Sequence, residues 1–194
     1  MSLPPVEIPL GAMRFNSDSQ KLEYWNGSVW MQIQTFSPNL DGGARGVWFF
    51  GFDNSSNPKV IDYITIPTQG NAIDFGDMTG NATFYGGAFS SNTRGVYFGG
   101  APGGGRNEIQ FITFSSTGDS QDFGDLTAII QYNPVGVSNQ TRGIRCGGAT
   151  VPTTSVNILD YVTIASTGNA VDFGDMVRER RFATSSNSPT RGFV

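Results

Sequence analysis

Residues 65–78 read TIPTQGNAIDFGDM, and the chain writes nearly the same phrase twice more, as TFSSTGDSQDFGDL at 113–126 and TIASTGNAVDFGDM at 163–176. The DFGD phrase begins at Asp74, Asp122 and Asp172, spaced by 48 and 50 residues. A second landmark, Arg-Gly, falls at Arg45, Arg94, Arg142 and Arg191, spaced by 49, 48 and 49 residues. Two unrelated landmarks with one period establish an internal repeat, the signature of an architecture built from copies of one supersecondary unit.

Each unit runs in the same order. An Arg-Gly strand such as RGVYFGG is followed by a variable loop rich in Gly, Pro or Asn. Next comes IDYITI, IQFITF or LDYVTI, whose alternation of apolar and polar residues is that of a half-buried strand. A TGN or TGD turn then leads into a second alternating segment around DFGD. A less regular stretch closes the unit. Four short strands in a period of about 49 residues predict an all-β chain of kelch-like, β-propeller-like repeats. The repeats occupy 41–194, as units 41–92, 93–140 and 141–189 with the start of a fourth at 190–194. Phe75, Phe123 and Phe173 are expected to fill a repeated core, at about 2 kcal/mol for each ring fully buried.

Residues 1–40 lie outside the repeat and read as an N-terminal arm and a β-hairpin attachment or oligomerisation module. Asn26-Gly27, between KLEYW and SVWMQI, predicts a two-residue turn with positive φ at both positions. Leu22 and Tyr24 alternate onto one face. A module this small cannot bury Trp25 and Trp30 within itself, so Phe15, Leu22, Tyr24, Trp25 and Trp30 are the candidate contact residues.

Composition narrows the function. Aromatics make up 12% of the chain and charged residues 14%, with 26 glycines, a profile of strands and turns. A formal net charge of −4 argues against nucleic acid and anionic membranes, both of which need a basic surface. With no histidine, the commonest general base and transition-metal ligand is missing. The lone Cys146 has no internal partner, no signal peptide is read at the N-terminus, and no apolar run reaches the ~20 residues of a membrane span. The expectation is a non-enzyme with no cofactor and no bound metal.

Two stretches carry a resemblance. GAMRFNSDSQKLEYWNGSVWMQI at 11–33 resembles a short β module of phage tail-fibre and other virion appendage proteins. TRGVYFGG, DYITI and STGNAVDFGD resemble kelch-type repeats of virion structural proteins from phages that infect cyanobacteria. The resemblance implies a structural component of a phage virion, a tail fibre or other surface appendage made in the host cytoplasm. Its alternatives are a capsid decoration or vertex fibre protein and a carbohydrate-binding module for host-surface glycans. The implied partners are other virion proteins, the chain itself (a trimer first, a dimer second) and a host-surface glycan, without nucleic acid or membrane insertion. Proteins of this kind carry more repeats than three, so the expectation is that the natural array continues or that neighbouring chains close it, with TRGFV at 190–194 as an exchanged strand.

The recurrent polar residues allow a bland and a sharp reading. DFGD occurs in a kinase metal loop, but nothing else of that enzyme accompanies it, and three copies fit turn chemistry better than an active site. Asp74/Asp77, Asp122/Asp125 and Asp172/Asp175, with Asn71, Asp119 and Asn169 upstream, offer oxygens to Ca²⁺ but fall short of its six to eight ligands; the bland reading is Asx turns. Arg45, Arg94, Arg142 and Arg191, together with Asp74, Asp122 and Asp172, are read as residues that lock repeat to repeat rather than as a ligand site. Cys146 stands where Phe98 and Phe49 stand and is expected to be a buried apolar residue. Trp48, Tyr85, Tyr97 and Tyr132 are the aromatics available for sugar stacking.

Overall fold

The computed structural model describes residues 8–17, 21–33, 45–49, 51, 59–80, 84–101 and 103–194. The proline-rich arm before residue 8, the boundary drawn at residue 40 and the loop at 52–58 lie outside the described residues. The chain forms two compact units, Met1–Asn39 and Leu40–Val194. Every regular element among the described residues is a strand: β1 Met13–Asn16, β2 Lys21–Trp25, β3 Trp30–Gln32, β4 Arg45–Phe49, β5 Val60–Thr65, β6 Ile73–Asp77, β7 Gly87–Ser90, β8 Arg94–Phe98, β9 Arg106–Thr113, β10 Gln121–Ile130, β11 Val135–Ser138, β12 Arg142–Cys146, β13 Ala149–Thr150, β14 Thr154–Thr163, β15 Val171–Arg180, β16 Ser186–Asn187 and β17 Gly192–Phe193. The protein is all-β, built from several small antiparallel sheets.

In the N-terminal unit β1, β2 and β3 form one sheet in chain order. Cross-strand partners Met13, Tyr24 and Met31, and Phe15 with Leu22, share one face, and all five are exposed. The other face is polar and closed. Glu23 is 4% exposed, held by Arg14 at 2.9 Å and by the Asn16 amide at 3.0 Å. Trp25 and Trp30 are cross-strand partners on this second face, with ring centroids 5.5 Å apart and the Arg14 guanidinium 4.2 Å above Trp30. The two indoles therefore shelter each other, and the exposed apolar residues are Phe15, Leu22 and Tyr24 with their neighbours. The turn also differs from the two-residue form. It spans four residues, Gly27 alone has positive φ (97°), and the Asn26 side chain accepts the N–H groups of Ser28 and Val29 at 2.9 and 2.8 Å. A short polar side chain that bonds the backbone two and three residues on makes a second left-handed residue unnecessary.

In the repeat unit, β7 to β10 form a four-stranded antiparallel meander, and β11, β12, β14 and β15 form another with β13 beside β14. β4, β5 and β6 form a three-stranded sheet, and β16 pairs with β17 alone. The sheets are phased one strand earlier than the Arg-Gly landmark: the less regular stretches hold β7, β11 and β16, which pair with the Arg-Gly strands β8, β12 and β17. These stretches are short and rich in Ser, Asn and Gly, so alternation alone does not reveal them. TRGFV closes locally on β16, Ser186 opposite Phe193 and Asn187 opposite Gly192.

The core lies between sheets. One cluster joins Ile61, Phe75 and Met78 of the first sheet to Tyr97 and Ile112 of the second. The other joins Phe98, Phe111 and Phe123 of the second to Val162 and Ile164 of the third. Phe75 and Phe123 are each 2% exposed, but Phe173, at the equivalent place in the third sheet, is 48% exposed. The repeated core is thus a core of junctions, and among the described residues no further sheet covers Phe173. Ile66 shows the same at the other end: it is 65% exposed, whereas its counterpart Ile164 is 1% exposed.

The Asn16 and Arg14 bonds hold the Glu23 carboxyl below the ordinary glutamate range, against the opposing effect of burial. A depressed folded-state pKa contributes stability that is full above the unfolded value and is lost as pH falls through the folded one. Acidification below the ordinary glutamate range is therefore expected to loosen the Trp25–Trp30 pair. Glu23→Gln should flatten that pH dependence, as read by the tryptophan near-ultraviolet dichroism.

Candidate functional site: the joint between repeats

Each sheet carries the same three-residue stack. Arg45 lies over the Tyr63 ring at 4.7 Å, Arg94 over Phe111 at 4.4 Å and Arg142 over Tyr161 at 4.6 Å. The edge of each ring meets the DFGD phenylalanine: Tyr63 to Phe75, Phe111 to Phe123 and Tyr161 to Phe173, at 5.8, 5.8 and 5.9 Å between centroids. The geometry follows from the register. Arg45 and Arg94 stand opposite Thr65 and Thr113, two residues from the ring they cover. A guanidinium held over a ring keeps its N–H groups free at the edge.

Those N–H groups reach the next sheet. Arg45 Nη1 donates to the Phe114 carbonyl, and Arg94 Nη1 donates to the Ile164 carbonyl at 2.8 Å. Beside them the TG turn of one repeat bonds the DFGD strand of the repeat before it. Gly118 N–H donates to Phe75 O and Ser120 N–H to Asp77 O, at 2.7 and 2.9 Å. Gly168 N–H and Ala170 N–H do the same to Phe123 O and Asp125 O, both at 2.7 Å. The Asp119 and Asn169 side chains accept the backbone N–H of Asp77 and Asp125 at 2.9 and 3.0 Å. Gly76 and Gly124 have φ of 146° and 143°, and a Cβ on either would come within 2.5 Å of the facing turn's backbone. Only glycine lets the two backbone segments approach this closely.

The sequence-derived residues divide as follows. Arg45 and Arg94 span junctions. Arg142 carries the stack, including a second ring, Phe173, at 5.8 Å, and faces a cleft. Arg191 belongs to the terminal hairpin, where its carbonyl accepts Ser188 N–H at 2.8 Å. Asp74 and Asp172 make Asx turns to the N–H of Gly76 and Gly174, at 3.0 and 3.1 Å. Asp122 sits at the same point of β10, exposed. The side chains that bond the DFGD strands across the junctions are Asp119 and Asn169, from the TGD and TGN words rather than from DFGD itself. Among the described residues no three of Asp, Glu or Cys converge as a metal ion would require. Tyr97 is 8% exposed and packed in a junction, whereas Tyr85 is 49% exposed with its ring 5.6 Å from that of Tyr132.

One buried pair escaped the sequence reading. Arg145 and Asp160, each 1% exposed, form an ion pair in the second junction. Arg145 also donates to Gly147 O at 2.9 Å, and Thr127 of the preceding sheet donates to the Asp160 carboxylate at 2.6 Å. The signal was present: RGIRC puts arginine where the other units have Trp48 and Tyr97, and Asp160 aligns with Gln110, which makes the smaller polar contact with Ser120. Neighbouring Cys146 is 3% exposed, and burial pushes its thiol up to about 11 against the opposing pull of Arg145.

The chain matches no protein-family model and no curated protein sequence.

Two mutational outcomes test the joint. Gly174 has φ of 133°, but nothing lies within 4 Å of where an alanine methyl would sit, so Gly174→Ala should cost only backbone strain, about 1–3 kcal/mol. Gly124→Ala adds a backbone clash and should cost at least ~2 kcal/mol more by denaturant unfolding. Asp160→Asn leaves Arg145 buried without its counter-charge and should destabilise by about 3–5 kcal/mol, with Asp160 and Arg145 strongly coupled in a double-mutant cycle.

Proposed function

We propose that the chain is a non-catalytic structural component of a phage virion, a tail fibre or other surface appendage. In this reading the N-terminal module attaches it to a neighbouring virion protein and the kelch-type, propeller-like repeats form an outward platform. The observation that carries the proposal is the division of labour between the two units. Arg45, Arg94, Gly76, Gly124, Asp119 and Asn169 make contacts from repeat to repeat, while the small sheet leaves an apolar face of Met13, Phe15, Leu22, Tyr24 and Met31 exposed over a reverse side that holds the Arg14–Glu23 ion pair and the two indoles. Such a patch on so small a unit is a contact surface. The wording of residues 11–33 and of the repeats supports the virion assignment.

Purified particles of the phage that encodes the chain should contain it by mass spectrometry. Phe15→Asp, at a position 65% exposed, should leave the melting temperature unchanged and lower incorporation at least tenfold. Absence of the wild-type chain from the particles overturns the proposal. A second reading, glycan binding, is favoured by exposed Tyr85 beside the half-buried Tyr132 ring. Its test is a glycan array on which binding disappears with Tyr85→Ala.

A further inference from the structure

We infer that one end of the second sheet is a sugar subsite, in which a pyranose ring stacks on Tyr85 while Arg106 and Gln131 bond its hydroxyls. The inference rests on the glycan reading above and names the groups that do the binding. It starts from three backbone angles. Among the described residues the non-glycine positions with positive φ are Tyr85 (63°), Asn133 (39°) and Phe182 (57°). Each stands nine residues before an Arg-Gly landmark, at Arg94, Arg142 and Arg191. The left-handed residue is thus a property of the repeat. Asparagine enters that region readily, because its short polar side chain bonds locally, whereas a tyrosine there carries backbone strain. Asn133 shows that the repeat accommodates the less strained residue. The ring at 85 is held against a cost.

Burial does not offset that cost, since Tyr85 is 49% exposed. The second sheet packs against the first on one side and the third on the other, so this exposure is not that of an end unit. The backbone around the ring is pinned. A Cβ on Gly86 would collide with the Tyr97 hydroxyl, and the Tyr85 carbonyl accepts Asn133 N–H at 2.8 Å. The ring meets Phe84 edge-on at 4.8 Å and Tyr132 at 5.6 Å between centroids, which fixes its angle and leaves it open to solvent. In the third repeat the matching ring, Phe182, has a neighbour of its own: Arg181 lies 5.5 Å from its centroid. At 85 the preceding residue is Phe84 and supplies no charge.

The polar groups come from the same end of the sheet. In an antiparallel meander the start of β7, the end of β8, the start of β9 and the end of β10 fall together. Phe84 bridges to Ala101, and Gly100 N–H donates to Ile130 O at 3.0 Å. Arg106 stands opposite Ile130, and Gln131 and Tyr132 follow it in the chain. Among the described residues, the buried polar side-chain atoms without a partner are Arg106 Nε and Gln131 Oε1, both at this end. One is a donor and the other an acceptor, and a sugar hydroxyl serves either. Each of the two residues keeps part of its surface in solvent. A pyranose offers an apolar C–H face to an aromatic ring and a rim of hydroxyls to the groups beside it. A purely apolar partner would leave both orphan atoms unsatisfied, at the full cost of their desolvation. That selects a sugar over an apolar protein surface.

Calorimetric titration of the full chain with cellotetraose, chitotetraose and tetragalacturonate tests this, with wild type, Tyr85→Asn, Gln131→Leu and Arg106→Met. The probes share the pyranose ring and differ in carrying a hydroxyl, an acetamido group or a carboxylate. Wild type should bind at least one of them with micromolar to millimolar affinity. Tyr85→Asn should lose at least tenfold in affinity yet melt no lower than wild type, because asparagine relieves the strain. Gln131→Leu should weaken binding at least threefold without lowering the melting temperature, since it removes an unsatisfied atom. Arg106→Met should weaken binding by a similar factor. The subsite is overturned if wild type binds none of the probes. It is also overturned if Tyr85→Asn lowers the melting temperature by more than a few degrees, which would make the ring a packing element. Binding lost with Tyr85→Asn but kept at wild-type strength by Gln131→Leu and Arg106→Met overturns the subsite and leaves the glycan reading standing. The virion proposal is decided apart from all of these, by the composition of the particles.

Discussion

A guanidinium laid flat on a ring of its own sheet, with its N–H edge aimed at a carbonyl of the next, is the contact on which the repeat array depends. A strand end leaves carbonyls without ladder partners, and in a junction those carbonyls are cut off from water. Arginine answers this because it is always charged, presents several donors in one plane, and is weakly enough hydrated to sit against an aromatic face. Lysine would bring a compact, strongly hydrated charge to the same place and lose the stacking. The stack also fixes the angle of the DFGD phenylalanine, which then presents its outer surface to the next sheet. Electrostatics and apolar burial thus meet in the same three residues.

Around that contact the glycines set the distance. Gly76 and Gly124 bring two backbones close enough for the TG turns to bond the DFGD strands directly, so the junction is sewn by main-chain bonds as well as by packing. Main-chain bonds tolerate side-chain change, which explains why the interior of each joint differs so much. The first holds Tyr97 and Phe49 rings 5.7 Å apart, while the second holds a buried Arg145–Asp160 pair. A buried ion pair is weak evidence for stability, because desolvation opposes its attraction. Here it makes the second junction chemically unlike the first. Both partners belong to the third sheet, Arg145 on β12 opposite Asp160 on β14, and the second sheet meets them with the Thr127 hydroxyl at 2.6 Å.

Much of this was legible from residues. The period, the strands β5, β9 and β14 with their alternation, and the arginine positions follow from spacing and pattern, because each is a local property repeated until chance is excluded. The phase of the sheets was not legible. β7, β11 and β16 are only two to four residues long and take their identity from the strand they pair with, which no local pattern of that length records. Nor did alternation say which face of the small sheet is shielded. Trp25 and Trp30 look like contact residues by size, yet the register sets them opposite each other and beneath Arg14, and the exposed surface is the face of Phe15, Leu22 and Tyr24. The Arg145–Asp160 pair is a third case: the substitution is visible in the repeat alignment, but its partner is fixed only by strand pairing.

A repeat array also decides where its own exposure falls. In a single-core domain, apolar residues at equivalent positions share one fate. In a stack, a residue that faces forward is buried only if a further unit follows, and one that faces backward only if a unit precedes it. Phe173 and Ile66 are therefore exposed not through any property of their own but because of their rank in the array. The β16–β17 hairpin follows the same rule on a small scale: it continues from β11, with the Ser185 hydroxyl donating to Gly136 O at 2.8 Å and the Asn187 amide to Ser138 O at 2.7 Å.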